Sequence, residues 1–294
     1  MAVRVWIQLL VLAGLWGTVY LLIEVVLREL SPVVVVAGRV GLAAAFLTPL
    51  ALHRHAFAGL WRRPRAIVET ALVQSTIPLL LLTFGQRHVP SGLAGVIIGA
   101  QPLFVALIAL RFAPEERPRG WPGVAGIVLG LVGLVVLFRG DLGGGWPEVW
   151  GGVLVLGAAL SYGAGAVMIH RRHADAEPLG VAASAMLVTT AVVAVPSLFA
   201  LPARLPSVPT MVGLLVLGVV CTGMTLVLFY TLIVRAGPAR AALAFYLSPG
   251  FAVVFGVVFL RERVSVGLVL GLAAIVIGSA LAARRAAPAP AAQR

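Results

Sequence analysis

Two polar residues stand directly before a proline in the middle of long apolar runs: Gln101 before Pro102, and Ser248 before Pro249. A proline inside a helix removes one backbone hydrogen bond and pushes off the carbonyl four residues back. Those carbonyls belong to Ile98 and Phe245. In lipid such groups need a partner, so this sequence is tolerated only where it faces protein or a wet cavity. An amide and a hydroxyl beside two freed carbonyls suit the holding of a small polar molecule. Tyr246, two residues before Ser248, adds a phenol to the second copy. The plainer role, a pair of structural kinks with locally satisfied polar neighbours, uses the same residues.

Three further sets belong to the same kind of chemistry. Trp16, Tyr20 and Glu24 recur every four residues and share one helical face. Trp16 and Tyr162 fall near mid-run, away from the interfacial belt where such rings gather, and could stack on an apolar substrate or simply pack. Gln74, Ser75 and Thr76 have counterparts in Cys221, Thr222 and Gly223; hydroxyls there can bond their own backbone or a neighbouring helix. Charges inside apolar runs raise a functional question first. Glu24 and Arg39 lie at overlapping depths and could pair, although Glu24 could also reach Arg28, four residues on. His170 is the counterpart of Glu24, and titratable groups at opposite mouths could sense a proton gradient in turn; plain ion pairing and a basic loop account for both equally. Glu69 begins an apolar run, where a helix dipole favours a carboxylate. Glu115 and Glu262 close apolar runs beside arginines, as interfacial salt bridges do.

Other chemistries are excluded. The remaining histidines, His53, His55, His88 and His173, show no metal-ligand spacing, and those beside arginines read as solvated loop residues. There is no G-x-x-x-x-G-K motif and no lysine to make one, which argues against an ATP-driven pump. No nucleophile and base stand at usable spacing, so an enzyme is not expected, and no cofactor is implied. The single Cys221 rules out a disulfide framework.

The elements that position these residues come in two copies. Pro102 plus 147 is Pro249 and Glu115 plus 147 is Glu262; Trp16-Gly17 falls on Tyr162-Gly163 at an offset of 146. The chain reads as two homologous halves, 1–140 and 149–283, followed by an Ala/Pro-rich tail, 284–294, expected to be disordered. It is 61% hydrophobic and 11% charged, with a mean hydropathy of +1.08, against about a quarter charged in a soluble domain. Ten apolar runs approach the roughly 20 residues that cross a bilayer: about 5–27, 33–52, 66–86, 91–112, 120–138, 149–169, 179–200, 211–234, 239–260 and 266–283. The fold class expected is all-α integral membrane, ten transmembrane helices in two inverted five-helix repeats. The net charge of +12 is carried by 22 arginines spread between the runs, which argues against a nucleic-acid face. Counting them loop by loop puts 15 on the side of the N-terminus and 6 on the other, so both termini are expected in the cytoplasm. Gly126-x-x-x-Gly130 and Gly267-x-x-x-Gly271 allow close helix approach, either to each other or in a homodimer.

The run Leu15-Trp16-Gly17-Thr18, then Ser31-Pro32, then Arg39, resembles the opening of an EamA-type member of the drug/metabolite transporter superfamily. The small-residue stretch leading to Pro102 and Glu115, and its copy leading to Pro249, Glu262 and Arg263, resemble that family's repeated helix. One departure is Glu24, where many relatives have a basic residue. The resemblance covers nearly the whole chain. It implies a secondary transporter in the cell inner membrane, an exporter of small amphipathic metabolites such as amino acids, working around a central cavity. The substrate-binding residues expected are Trp16, Tyr20, Gln74, Ser75, Gln101, Tyr162, Thr222, Tyr246 and Ser248. Glu24, Arg39 and His170 are expected in coupling or ion pairing, Pro102 and Pro249 as kinks. The partners expected are a small-molecule substrate and the lipid bilayer, with a monomer or homodimer. A flippase for a lipid-linked substrate is the alternative; it requires a cavity open sideways to lipid.

Overall fold

The computed structural model describes residues 3–112, 118, 120–140, 145–229 and 243–282. Among them every regular element is helical. Eight helices are long and apolar enough to cross a membrane: α1 (Val3–Leu27), α2 (Pro32–His53), α3 (Pro64–Gly85), α4 (Ser91–Phe112), α5 (Gly120–Gly140), α6 (Trp146–Arg172), α7 (Pro178–Leu198) and α8 (Val208–Phe229). Two shorter apolar helices follow, α9 (Leu243–Leu260) and α10 (Val266–Ala282). The molecule is a multi-pass membrane protein.

Local chemistry sets the ends. Proline stands in the first turn of α2, α3, α6, α7 and α8, where its fixed φ suits the helix and its missing N–H costs nothing. The Ser207 hydroxyl caps α8 by accepting from the Thr210 amide at 3.5 Å. Ser31 sits at the same position of α2, but its hydroxyl donates instead to the Ala200 carbonyl at 3.1 Å, tying two loops together.

The helices of the two halves lie on each other. α1 packs on α9 and α6 on α4; α2 packs on α8 and α7 on α3; α2 meets α7, α4 meets α9, and α5 meets α10. Small residues make these approaches possible. A Cβ placed on Gly17 would stand 2.5 Å from Phe251 Cβ, and one on Gly163 would stand 3.0 Å from Phe104 Cβ. The close approach left open for Gly126 is resolved within the chain: a Cβ there would lie 2.6 Å from the Gly278 carbonyl oxygen, and Gly133 and Gly271 face each other likewise.

Two helices widen where polar residues interrupt them. α3 passes through π turns over Leu72–Thr76 and α8 over Val216–Met224. Such turns recur at functional sites. Helix α4 breaks at Gly99 and Ala100, directly before Gln101-Pro102. Helix α9 runs unbroken through Pro249, so the second expected kink does not interrupt its helix. The difference has a local cause. The first copy offers Gly99-Ala100 before the proline; the second offers Tyr246-Leu247, and glycine gives up helix far more readily.

Candidate functional site

Helix α1 presents Trp16 and Tyr20 to its neighbours. The Trp16 ring lies 5.4 Å from Phe229 at the end of α8 and 4.7 Å from Phe245 in α9, centroid to centroid. Phe229 and Phe245 meet edge to face at 5.5 Å. One turn along α1, Tyr20 is buried, its ring resting on Gly95 of α4, where a Cβ would stand 3.2 Å away. Gln86, just past α3, is 2% exposed and donates from Nε2 to the Tyr20 carbonyl at 3.0 Å. Its Oε1 is buried without a partner. Gln86 was not among the residues singled out by sequence, because it stands beside Arg87 and His88 and reads as the edge of a loop.

The charge in this centre is Arg39 of α2, 7% exposed. Its Nε donates to the Thr222 hydroxyl oxygen at 2.9 Å, and Thr222 donates onward to the Leu217 carbonyl at 2.8 Å. That carbonyl lies five residues back, a reach that the widened turn of α8 allows. The hydroxyl thus uses its one proton on α8 and a lone pair on Arg39. Arg39 Nη1 is buried and has no hydrogen-bond partner among the described residues. The groups interacting with Arg39 electrostatically are Tyr162, Cys221 and Tyr20. The expected pairing with Glu24 is not what Arg39 makes here. Glu24 is half-buried, and its electrostatic neighbours are Glu262 and Arg28.

The other half repeats the arrangement without the charge. Thr76, in the widened turn of α3, bonds the Ala71 carbonyl at 3.4 Å and the Thr189 hydroxyl of α7 at 3.0 Å. The hydrogen bonds therefore equate Thr76 with Thr222, one residue away from the pairing of Ser75 with Thr222 read from the sequence. The offset of Thr222 from Thr76 is 146, the same as that of Tyr162 from Trp16.

The remaining expected residues differ in burial. Ser75 and Ser248 are buried. Gln74 is half-buried; it packs directly against Gly165 of α6, and its Oε1 is buried without a partner. Gln101, Pro102, Tyr162 and Tyr246 are half-buried. The Pro249 ring packs on Gly99, 2.7 Å from where a Cβ would be. His170 is exposed at the end of α6.

Two expectations are corrected. Glu262 is not paired with an arginine among the described ion pairs. It accepts the backbone amides of Ser91 at 2.7 Å and Gly92 at 2.9 Å, capping α4 from the end of α9. Glu115 lies outside the described residues. His173 is not a solvated loop residue: it is 6% exposed and bonds the Thr70 hydroxyl at 3.0 Å. Burial holds its imidazole below the ordinary histidine range. Glu69 reads as structural in both accounts, bonded to Arg65 at 2.8 Å and to Arg172, which joins α3 to α6.

A cleft of about 490 Å³ opens between α4 and α6, lined by Ile108, Phe112, Met168 and Arg171 among others. A second, of about 410 Å³, is bounded by Arg63, Arg65, Glu69 and Arg172. Both lie at the arginine-bearing ends of the helices; neither is lined by Trp16 or Arg39. The Glu262 cap sits at the other end of α4.

Comparison with known proteins agrees with this architecture. The EamA-like transporter family matches twice, over residues 4–139 and 149–284. The inner membrane transporter YedA of Escherichia coli, described as uncharacterized, is 29% identical over 82% of this chain and 78% of its own. The uncharacterized transporter YoaV of Bacillus subtilis is 25% identical over 94% of this chain and 95% of its own. A crystal structure superposes with a TM-score of 0.69 over 97% of this chain and all of its own, at 23% identity, which shows a shared fold.

Proposed function

The chain belongs to the EamA-like transporter family, which makes it a membrane transporter rather than an enzyme, and from that premise we propose a secondary-active exporter of small amphipathic metabolites, amino acids or related compounds. Transport runs by alternating access around the centre formed by Trp16, Tyr20, Arg39, Tyr162 and Thr222. The architecture proposed is ten transmembrane helices in two inverted five-helix repeats, 1–140 and 149–283, with tail 284–294 and the N-terminus in the cytoplasm and the protein in the inner membrane.

The observation that carries this reading is the reciprocal packing between the halves. Gly17 of α1 sits on Phe251 of α9, and Gly163 of α6 sits on Phe104 of α4. Adding 146 to 17 and 147 to 104 turns the first contact into the second, as related repeats around a shared centre require. The two ends of α4 also differ. The α4–α6 cleft opens by Phe112, while Glu262 ties α9 to the Ser91 end. A cleft at one end of α4 and a tie at the other supply the kind of asymmetry that alternation uses. In this reading the Glu262 bond is the latch that releases as the Ser91 end opens and the Phe112 end closes.

Reporter fusions at Arg294 and between α5 and α6 test the topology: the first is expected to give a cytoplasmic signal and the second an external one. Matching signals from both would end the inverted arrangement.

A further inference from the structure

We propose that the central site takes substrates through a carboxylate bound to Arg39 and favours those with net negative charge, a specificity that rests on the transport reading above. A guanidinium held inside a membrane protein is costly unless its charge is answered. Among the described residues the ion pairs are Arg63 with Asp175, Arg65 with Glu69, and Arg172 with Glu69. Arg39 is in none of them. Its one protein hydrogen bond among them is the Nε contact to Thr222, a neutral hydroxyl. Tyr20, Tyr162 and Cys221, the groups that interact with it electrostatically, are ordinarily neutral near pH 7. Nη1 is buried and unmatched.

The geometry says what would match it. With Nε already fixed by Thr222, the guanidinium plane is set, and the free Nη1 leaves a donor for an acceptor approaching in that plane. A carboxylate meets this need with both charge and shape. One turn along α1 from Tyr20, the Trp16, Phe229 and Phe245 rings form an apolar wall. A ligand with a carboxylate at Arg39 and an apolar or aromatic body on that wall spans the two. A substrate ammonium finds no acid among the described ion-pair or electrostatic partners of Arg39. A cation is therefore repelled, a zwitterion is held weakly, and an anion is preferred.

The test uses the purified full chain and three probes with the same ring: 3-phenylpropionate (anion), phenylalanine (zwitterion) and phenethylamine (cation). A ligand that binds only the folded state raises its melting temperature. The expected order of shifts is anion, then zwitterion, then no shift with the cation. Arg39→Met is expected to abolish the 3-phenylpropionate shift and to leave the ligand-free melting temperature unchanged or higher, because a buried unanswered charge has gone. Arg39→Lys keeps the charge but not the fork and is expected to retain a smaller shift, which also covers the case in which Arg39→Met does not fold. Trp16→Ala is expected to weaken every shift that occurs. If phenethylamine stabilises the wild type as well as 3-phenylpropionate does, and Trp16→Ala removes the effect, the carboxylate assignment falls while the central site stands; if phenylalanine, which carries a carboxylate too, does so, the preference for net negative charge falls. If shifts persist unchanged in Arg39→Met, Arg39→Lys and Trp16→Ala, or no probe shifts the wild type, both fall.

Discussion

Two corners of the molecule share one device and differ in charge. Where α2 meets α8, a threonine in a widened turn, Thr222, back-bonds to its own helix and holds Arg39. Where α7 meets α3, Thr76 in a widened turn back-bonds likewise and holds Thr189. The repeat supplies the geometry twice, and only one copy carries a cation. One corner thus carries a buried cation, proposed above to bind substrate, while the other holds only neutral hydroxyls.

The largest contrast should come from the pair of residues that the threonines hold. Arg39→Met is expected to lower transport in proteoliposomes by at least about a hundredfold, in line with the loss of a desolvated charge pair. Thr189→Val removes one neutral hydrogen bond and is expected to cost about 1 kcal/mol of stability with transport within about twofold of wild type. Equal losses of transport in the two variants would erase the distinction between the corners.

Next in size is the packing across the halves. Gly17→Ala places a methyl 2.5 Å from Phe251 Cβ and 3.0 Å from the Ala252 backbone nitrogen, whereas Gly163→Ala places one 3.0 Å from Phe104 Cβ. Overpacking of this kind costs about 1–3 kcal/mol. Thermal unfolding is expected to show the larger loss for Gly17→Ala. The reverse order would mean that the two contacts are less alike than the repeat suggests.

Smaller again is the latch. Glu262→Ala removes both acceptors from the first turn of α4, and the loss of such a cap costs about 1 kcal/mol. Its more specific mark is faster labelling of a cysteine placed at Ser91 in a Cys221→Ser background. Unchanged labelling would make the cap a stability feature and not a gate.

The smallest effect is a pH dependence at the arginine-bearing end. His173 is neutral in the folded state because burial lowers its pKa. A lowered folded pKa means that the unfolded chain takes up the proton first as pH falls. The contribution is therefore fully present above the ordinary histidine value of about 6.5 and is lost as pH drops through and below it. His173→Gln is expected to flatten the stability profile below that point, measured by melting temperature from neutral to mildly acid pH. A wild-type profile with no such fall would contradict the buried, neutral state.

The helices were legible in sequence because their causes are local. Apolar runs set the spans to within a few residues wherever both ends lie among the described residues, while the expected end at 234 and start at 239 lie outside them; the Gly126 and Gly271 faces already allowed the close approach that α5 and α10 make. The repeat offset aligned Gln74-Ser75-Thr76 with Cys221-Thr222-Gly223, residues that lie in the widened turns, but nothing in the sequence announced the widening. What was not legible depends on contacts across the fold. Arg39 and Thr222 are 183 residues apart, and Ser91 and Glu262 are 171 apart. Nothing in the sequence near Arg39 says that its partner is a hydroxyl and not Glu24. His173 misled for the same reason: its arginine neighbours suggest solvent, while its burial comes from Thr70 on another helix. The two prolines differ in context: α4 is interrupted beside Gly99-Ala100, while α9 continues through Pro249 beside Tyr246-Leu247.

The account turns on alternation between the two ends of α4. Cysteines at Ile108, in the open cleft, and at Ser91, under the Glu262 cap, placed singly in a Cys221→Ser background, report the two ends by labelling rate. With 3-phenylpropionate supplied during turnover in proteoliposomes, labelling at one position should rise as labelling at the other falls, and Arg39→Met should remove both changes. Rates that rise or fall together, or reciprocal changes that persist in Arg39→Met, would contradict a single central site serving two alternately opened faces.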